Sequence, residues 1–421
     1  MQQNKSGWSW IPTLYFAEGL PYFAVTVISV ILYKRMGVSN THIALYTSWL
    51  YLPWVIKPFW SPIVEMLKTR RLWIVGTQLV MGAMLAAVAF TLPLNDFFRW
   101  SLAIFWLMAF SSATHDIAAD GFYMLGLTGE QQSFFSGIRS IFYRIATIFG
   151  QGVLIIVAGL LEKKTGSIVT AWSITFAATA AIMLLLGGYH AKALPTPVND
   201  VSRSISGLKE AIADFKEILV SYFKKPGIVT AVLFMLLFRL PEAQLVKLLN
   251  PFLLDSREAG GLGLSTEQIG ITYGTIGVIG LIIGGIAGGI AISKKGLKYW
   301  LWPMVVAISL PDLVYVYLSM AQPSSQAIID LCIFIEQMGY GFGFTAYMLY
   351  LIYFAQGKYP TAHYAISTAF MALGMMLPGM ISGYIQQILG YELFFWWVMV
   401  CCLATFAVSA MLKIDADFGK K

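Results

Sequence analysis

Ionisable side chains occur inside the most apolar stretches of this chain, where they can bind a proton or neutralise a charged solute. There are six acids and five bases of this kind: Glu18, Asp116, Asp120, Glu242, Asp312 and Glu336, and Lys57, Arg139, Arg144, Arg239 and Lys247. Each costs roughly 3 kcal/mol near a bilayer centre, about 30 kcal/mol in total, which exceeds the ~5–15 kcal/mol net stability of a protein. We therefore expect these groups to pair with one another or to line a hydrated cavity, as in a solute carrier.

Asp116 and Asp120 are four residues apart, which places both carboxyl groups on one helix face, one turn apart. Two acids this close in a low dielectric disfavour each other's ionisation, so one of them can carry a proton near neutral pH. A structural ion pair with Arg139 or Arg144 on the next span is the alternative, and both remain open. The two arginines are about 140° apart around a helix, and we expect Arg144, which lies deeper in the apolar run, to face the cavity.

A second charged group surrounds Pro241, which frees a backbone carbonyl and weakens the helix there, as in the broken spans that border transporter sites. Arg239 and Glu242 are three residues apart on one face, and a purely structural pair between them remains open. Lys247 has no acid three or four residues away. It is therefore the better candidate to bind a substrate anion.

Acids flanked by tyrosines occur on two apolar runs. Tyr15, Glu18 and Tyr22 share one helix face, and Glu336 and Tyr340 share another. Aromatic rings cover sugar faces while carboxylates and phenols exchange hydrogen bonds, so this pattern suits a hydroxyl-rich ligand. The alternative is the ordinary preference of tyrosine for membrane interfaces. The buried acids favour a cavity.

These patterns give two sets of candidate residues. The predicted substrate-binding residues are Tyr15, Glu18, Tyr22, Arg144, Arg239, Lys247, Glu336 and Tyr340, and the predicted proton-coupling residues are Asp116, Asp120 and Glu242. The sequence contains no Walker motif, no catalytic His or Cys constellation and no metal-ligand spacing among its four histidines. We expect neither an enzyme nor a cofactor, and a lone structural role for His115.

The composition is that of a polytopic membrane protein. Of 421 residues, 58% are hydrophobic and 12% charged, against about 25% charged in soluble domains. Apolar runs separated by Gly, Pro and charge predict twelve transmembrane helices. Their approximate bounds are 10–33, 41–62, 72–94, 100–126, 134–160, 168–190, 227–254, 266–292, 299–321, 326–356, 361–388 and 391–412. The first run is too long for a signal-peptide core and is expected to be retained.

The basic residues predict the orientation. With a cytoplasmic N-terminus, 17 Lys and Arg residues fall on the cytoplasmic side, 6 on the outer side and 5 inside the spans. The positive-inside rule therefore places both termini in the cytoplasm. This asymmetry also explains the net charge of +7 without nucleic acid. We expect membrane lipids, protons and a small-molecule substrate as partners, and a monomer.

The chain reads as two related halves. Gly37, Val38 and Ser39 are echoed by Gly263, Leu264 and Ser265 at an offset of 226 residues, at the same position in each half. Such internal repeats are typical of transporters. We predict an all-α membrane protein of two pseudo-symmetric six-helix bundles, residues 1–190 and 227–421. Residues 191–226 would form a cytoplasmic linker with an amphipathic helix, whose apolar face carries Leu208, Ile212, Phe215 and Leu219.

This organisation resembles the major facilitator superfamily. The turn after the second span, with Glu65, Lys68, Arg70 and Arg71, keeps only part of that family's motif, because the leading Gly is absent and Glu replaces Asp. Residues 113–121, which read ATHDIAADG, are similar to the fourth span of AmpG-type muropeptide permeases, where Gln usually stands at the position of His115. Similar segments include Leu237 to Leu240 with Pro251 to Leu254, Gly263 to Ser265, and Gly19 to Pro21.

The resemblance implies proton-driven import of anhydro-muropeptides across the bacterial inner membrane, with one half rocking against the other around a central site. Relatives of that family include siderophore and acetyl-CoA transporters. A siderophore or other amphipathic organic anion is therefore the alternative substrate. A membrane-embedded transferase is the alternative from another class of protein.

Overall fold

In a computed structural model of the protein, the chain is almost entirely helical. The structure describes residues 6–197, 200 and 206–420, except for the side chains of residues 62, 63, 65, 66, 129, 133 and 206–214. No strand occurs in this part of the chain. Two compact units are present, one of residues 1–32 and 56–216 and the other of residues 33–55 and 217–421. The predicted bundle boundaries at residues 190 and 227 stay a prediction.

Several of the described helices up to residue 193 follow one another directly along the chain. The described helices of this part are Gly7–Ser9, Ile11–Phe23, Ala24–Ile28, Ser29–Arg35, Asn40–Trp49, Leu52–Leu67, Arg70–Thr91, Phe97–Gly126, Gly129–Ile148, Phe149–Val153, Leu154–Thr165 and Ile168–Ala193. Those that follow are Ser206–Phe223, Ile228–Leu237, Leu240–Leu254, Arg257–Ala259, Thr266–Ile271, Thr272–Gly277, Val278–Lys295, Leu297–Ser309, Leu310–Asp312, Leu313–Ala321, Gln326–Ala355 and Pro360–Ala410.

These helices account for the twelve predicted spans. Ten continuous helical stretches among the described residues are long and apolar enough to cross a membrane. The stretch Pro360–Ala410 contains two spans, because Gly390 interrupts it with φ 71° and ψ 173°. The second span is made of Asn40–Trp49 and Leu52–Leu67. Span 5 is longer than predicted and covers Gly129–Ile148 through Leu154–Thr165 rather than 134–160.

The sequence repeat has a structural reason. Gly37 and Gly263 both adopt positive φ, 82° and 67°, a conformation that costs glycine little. Two residues later Ser39 and Ser265 each cap the next helix, accepting hydrogen bonds from the backbone N–H groups of residues 42 and 268. The repeated Gly and Ser therefore encode the same turn and helix start in spans 2 and 8.

The segment between the halves caps helices of the spans. Asp200 accepts hydrogen bonds from the backbone N–H groups of Arg70 and Arg71, at 2.8 and 3.1 Å, at the start of span 3. Lys225 donates to the carbonyl oxygens of Phe354 and Gln356 at the end of span 10. Negative and positive side chains at these respective helix ends complement the helix dipole.

The linker helix Ser206–Phe223 lies where an amphipathic helix was predicted. The side chains of Leu208 and Ile212 lie outside the described residues. At its C-terminal end Glu217 accepts hydrogen bonds from Lys358 and Tyr359, at 2.8 and 2.7 Å. These bonds, that of Lys358 first, lower the pKa of Glu217. This contact is fully exposed, and it fixes the end of the linker helix to the turn before span 11.

Residues 33–55 pack within the second unit although they belong to the first half of the sequence. Lys34 Nζ lies 2.6 Å from Asp255 Oδ1. Asn40 donates hydrogen bonds to Gln386 and Tyr391, at 2.9 and 2.8 Å, and Tyr391 donates to Asp255 at 2.6 Å. The end of span 1 and the start of span 2 are therefore held to spans 7 and 11.

Spans 8 and 10 approach each other through glycines, as in small-residue membrane packing. A Cβ added at Gly280 would lie 2.7 Å from the carbonyl oxygen of Phe334, and one added at Gly284 would overlap that of Met338. A Cβ at Gly288 would lie 2.9 Å from the carbonyl oxygen of residue 342. At Gly280 and Gly284 the nearest atoms are backbone atoms, so no side-chain movement can make room for a larger residue.

We expect Gly284→Ala to destabilise the protein by about 1–3 kcal/mol, the usual cost of overpacking. Gly289→Ala is the matched control, because nothing lies within 4 Å of its added Cβ. Thermal unfolding in detergent, followed by circular dichroism, measures both. A melting temperature for Gly284→Ala equal to that of Gly289→Ala would contradict the close backbone packing.

Candidate functional site

The first unit brings three acids and two bases together. Asp120 Oδ1 lies 2.7 Å from Arg139 Nη2, while Asp116 Oδ2 lies 3.7 Å from Lys57 Nζ. Glu18, from span 1, lies close enough to all four for their charges to interact. The structural ion pair considered for span 4 therefore exists for Asp120 and Arg139, and Asp116 lies farther from Lys57 than Asp120 does from Arg139.

Arg139 also connects the acids to tyrosines. Its guanidinium carbon lies 4.5 Å from the ring centre of Tyr15 and 5.7 Å from that of Tyr123, within the range of cation–π attraction. Arg144, the arginine predicted to face a cavity, is exposed, and its role stays a prediction. Of the two arginines considered from the sequence, Arg139 is the one that pairs with Asp120.

Glu18 and His115 form the buried side of this cluster. One imidazole nitrogen of His115 and one carboxylate oxygen each of Glu18 and Asp116 lie within 4.8 Å of one another. Glu18 Oε2 and His115 Nδ1 are buried and make no hydrogen bond to any described residue. His115 is fully buried and contacts Gln78. Adjacent residues on a helix point about 100° apart, yet His115 and Asp116 both reach this cluster.

The remaining predicted residue of the first unit is Tyr22. It lies one turn after Glu18 on span 1, is half-buried, and packs its ring edge-on against Phe23 with centres 5.3 Å apart. Tyr15, by contrast, is fully buried below Arg139. Span 1 therefore presents Tyr15 and Glu18 to the cluster of charges.

In the second unit, span 7 is broken at the charged pair. One helix ends at Leu237 and the next begins at Leu240, with Pro241 in its first turn. Side chains satisfy backbone carbonyls near the break. Tyr347 donates a hydrogen bond to the carbonyl oxygen of residue 235 at 2.6 Å, and Thr405 to that of residue 238 at 2.9 Å. The break predicted from Pro241 is therefore held in place by spans 10 and 12.

Arg239 occupies this break and points to span 10. Its Nη2 donates a hydrogen bond to the hydroxyl of Tyr340 at 2.5 Å, and its guanidinium carbon lies 4.8 Å from the ring centre of Phe344. The rings of Tyr340 and Phe344 are stacked, with centres 5.4 Å apart. Two of the predicted substrate-binding residues, Arg239 and Tyr340, are thus in direct contact.

Three acids are buried together in the second unit, and one of them, Glu242, lies close enough to Arg239 for their charges to interact. Glu336 is 1% exposed and accepts hydrogen bonds from Tyr315, at 2.6 Å, and Gln337, at 2.9 Å. Glu242 and Asp312 are also buried and lie close enough to Glu336 for their charges to interact. The donors from Tyr315 and Gln337 were not anticipated from the sequence, because they lie on separate helices or outside the helix face considered.

Lys247 is the most unusual charged residue of the second unit. It is 1% exposed, and its Nζ donates a hydrogen bond to Thr47 Oγ1 at 3.1 Å and lies 4.9 Å from the ring centre of Tyr51. No carboxylate oxygen of any described residue lies within 4 Å of it. A buried ammonium group without an acid is costly unless a ligand compensates it.

Two further buried polar atoms accompany Lys247. Asn250 Oδ1, one turn further along the same helix, and Ser48 Oγ, next to Thr47, make no hydrogen bond to any described residue. A Cβ added at Gly379 would meet both Ser48 Oγ, at 2.7 Å, and Lys247 Cγ, at 3.4 Å. Unsatisfied polar atoms of this kind are few in native proteins and call for an explanation.

The chain is similar in sequence to proteins that are named as transporters and permeases. The profile of the Major Facilitator Superfamily matches residues 13–383. A Rickettsia conorii protein named AmpG 4 is 26% identical over 423 residues, which cover 96% of each chain. The anhydromuropeptide permease of Escherichia coli K12 is 23% identical over 395 residues, which cover 91% of this chain and 74% of that protein. The resemblance to AmpG-type permeases is therefore confirmed.

Solved structures show the same fold. A D-xylose–proton symporter superposes with a TM-score of 0.73 at 12% identity and covers 98% of both chains. The nucleoside transporter NupG superposes with a TM-score of 0.65 at 16% identity, covering 96% of this chain and 98% of its own. The predicted all-α fold is confirmed, and so is the expectation of a transporter rather than an enzyme. This chain belongs to the major facilitator superfamily and is a multi-pass membrane protein of the transporter class.

Proposed function

We propose that this protein is a proton-coupled secondary transporter that imports an anionic, amphipathic solute by alternating access, with anhydro-muropeptides as the favoured substrate. The observation that carries the proposal is Lys247, a buried ammonium group with no carboxylate beside it among the described residues. The name of the Escherichia coli relative, an anhydromuropeptide permease, supports this substrate class. Such a solute joins a sugar to a short peptide with free carboxylates.

The surroundings of Lys247 suit one carboxylate of such a solute. An ammonium group held by Thr47 and Tyr51 retains donor capacity, because it has three N–H bonds and one hydrogen-bonding partner among the described residues. Ser48 and Asn250 offer a hydroxyl and an amide to the polar groups next to that carboxylate. A bound carboxylate would accept hydrogen bonds from Lys247 and Ser48, while Asn250 Oδ1 would accept one from an N–H group of the same solute.

The sugar would contact the aromatic part of the second unit. Tyr340 and Phe344 are stacked beside Arg239, and a ring face next to hydrogen-bonding groups is typical of sugar sites. Glu336 is already engaged by Tyr315 and Gln337. We therefore assign Arg239 and Tyr340 to direct contact and Glu336 to the support of this surface.

Proton coupling belongs to the first unit. Glu18, Asp116 and Asp120 face Lys57 and Arg139, three potential negative charges against two positive ones. One bound proton balances this group. Asp120 is held at 2.7 Å by Arg139, whereas Asp116 is 3.7 Å from Lys57. Asp116 is therefore the proposed carrier, with Glu18 beside it, and Glu242 stays a candidate in the second unit.

The membrane setting is part of the same proposal. The 17 basic residues assigned to one side against 6 on the other favour cytoplasmic termini. An importer of cell-wall fragments would act in the bacterial inner membrane, surrounded by lipids and driven by its proton gradient. A monomer is sufficient, since the superfamily fold contains both halves in one chain.

Asp116→Asn should abolish accumulation of labelled anhydro-muropeptide in proteoliposomes under an imposed pH gradient, because the amide cannot carry the proton. Exchange of labelled for unlabelled solute without a gradient should persist. Asp96→Asn, which removes an exposed acid between spans 3 and 4, is the control. Parental accumulation by the Asp116 variant would remove this residue from the mechanism.

Lys247→Met should weaken binding of an anionic muropeptide by about 1.5–3 kcal/mol, the value of a charge-assisted hydrogen bond, or roughly 10- to 150-fold in Kd. A neutral, amidated analogue should lose little. Calorimetry on purified protein measures both, with Lys295→Met, an exposed lysine of span 8, as control.

The same variant tests whether Lys247 serves a ligand or the fold. Removal of an uncompensated buried charge should raise the melting temperature of the ligand-free protein. Equal loss of affinity for both solutes together with a lower melting temperature would contradict the assignment. A siderophore in the same titration tests the alternative substrate, and tighter binding of it would replace the muropeptide.

A further inference from the structure

A chain of buried hydrogen bonds ends at His115 in the first unit. Thr13 Oγ1 lies 2.9 Å from His190 Nε2, His190 Nδ1 lies 2.8 Å from Gln78 Oε1, and Gln78 Nε2 lies 2.9 Å from His115 Nε2. Gln78, His115 and His190 are fully buried. The chain connects spans 1, 6, 3 and 4 in that order and leaves only Nδ1 of His115 without a partner.

This series of hydrogen bonds can be completed with two different placements of the hydrogen atoms. In one, Thr13 donates to His190, His190 to Gln78 and Gln78 to His115, so a neutral His115 carries its proton on Nδ1. In the other, the amide of Gln78 is turned over and every donor and acceptor is exchanged. Thr13 then accepts from His190 while its hydroxyl donates to the carbonyl oxygen of residue 10, at 3.2 Å. His115 Nδ1 is then an unprotonated ligand atom.

In that second arrangement Nδ1 is the imidazole nitrogen of His115 that remains available to a ligand, because Nε2 is bonded to Gln78. The ligand atoms of Glu18, His115 and Asp116 lie within 4.8 Å of one another. Ligand atoms around a tetrahedral ion with bonds of about 2.0–2.2 Å lie about 3.3–3.6 Å apart, so side-chain rotations that bring the atoms closer by about an ångström would complete a site. The buried Glu18 Oε2 and His115 Nδ1 lack any other partner among the described residues.

We propose that Glu18, His115 and Asp116 bind a divalent transition-metal ion, with Gln78 accepting a hydrogen bond from His115 Nε2 as the outer partner. One imidazole and two carboxylates suit Zn²⁺, Mn²⁺ or Co²⁺ better than an alkali ion. Ligating histidines almost always donate their other ring N–H to such a partner. The carboxylates neutralise the charge of the ion, and solvent completes its coordination.

The neighbouring charges decide how tightly this site binds. Lys57 Nζ lies 3.7 Å from Asp116 and competes with the ion for that carboxylate. Arg139 is paired with Asp120, one turn further along span 4, but it also lies close enough to Glu18 for their charges to interact and so competes for that carboxylate. Replacing Lys57 by Met should therefore tighten metal binding. The ion and the coupling proton compete for the same carboxylates, but metal binding itself requires no transported solute.

Co²⁺ titration of the purified full-length protein in detergent tests the site, because protein ligands give bound Co²⁺ a characteristic visible absorption. We expect one Co²⁺ per chain, displaced by Zn²⁺. His115→Gln places the residue usual at this position of AmpG-type permeases and can keep the contact with Gln78. It should lose the absorption band and bind at least about tenfold more weakly, while His42→Gln, which changes a surface histidine, should bind as the parent does.

Two further variants keep the result interpretable. Gln78→Leu should weaken Co²⁺ binding roughly 10- to 100-fold, the usual effect of losing an outer partner, and Glu18→Gln should abolish it. Circular dichroism confirms folding of each variant. Parental affinity and spectrum in folded His115→Gln or Glu18→Gln protein would overturn the proposal. If the parent protein binds Co²⁺ but does not transport muropeptides, the result would count against the proposed function alone.

Discussion

The cost of placing ionised groups in a hydrocarbon environment governs this structure. In the first unit the cost is met by opposite charges: Arg139 holds Asp120, and Lys57 approaches Asp116. In the second unit, Glu336 is stabilised by neutral donors, because it accepts hydrogen bonds from Tyr315 and Gln337. The two units thus solve the same electrostatic problem with different chemistry.

The charge of Lys247 is compensated less completely. Its ammonium group meets one hydroxyl and one aromatic ring, which replace only part of its hydration. Binding sites commonly sacrifice stability in this way, because groups that await a ligand cannot also be satisfied by the fold. The broken span 7 sets the position of the site, since Tyr347 and Thr405 fix the carbonyl groups around the break and thereby the helix that carries Lys247.

The sequence predicts the fold well because its signals are local. Apolar length defines the spans, and Gly37 with Ser39 and Gly263 with Ser265 define matching turns. The site is harder to predict from the sequence, because helical periodicity indicates the helix face on which a residue lies but not how far its side chain reaches. The choice of Arg144 over Arg139 rested on depth in the apolar run, and nothing in the spacing of Gln78, His115 and His190 indicates that they meet. The length of the arginine side chains determines which one reaches the acids, and contacts between helices distant in sequence bring Gln78, His115 and His190 together.

Residues 33–55 impose a further condition, on the order of events during biosynthesis. Asn40 bonds to Gln386, 346 residues later. Chains grow at roughly 5–20 residues per second, so this early segment waits in the membrane for tens of seconds before its partners exist. Lys34 meanwhile has no Asp255 to neutralise it until span 7 has been made. The polar groups of this segment must therefore stay hydrated, or be held in another way, until those partners have been synthesised.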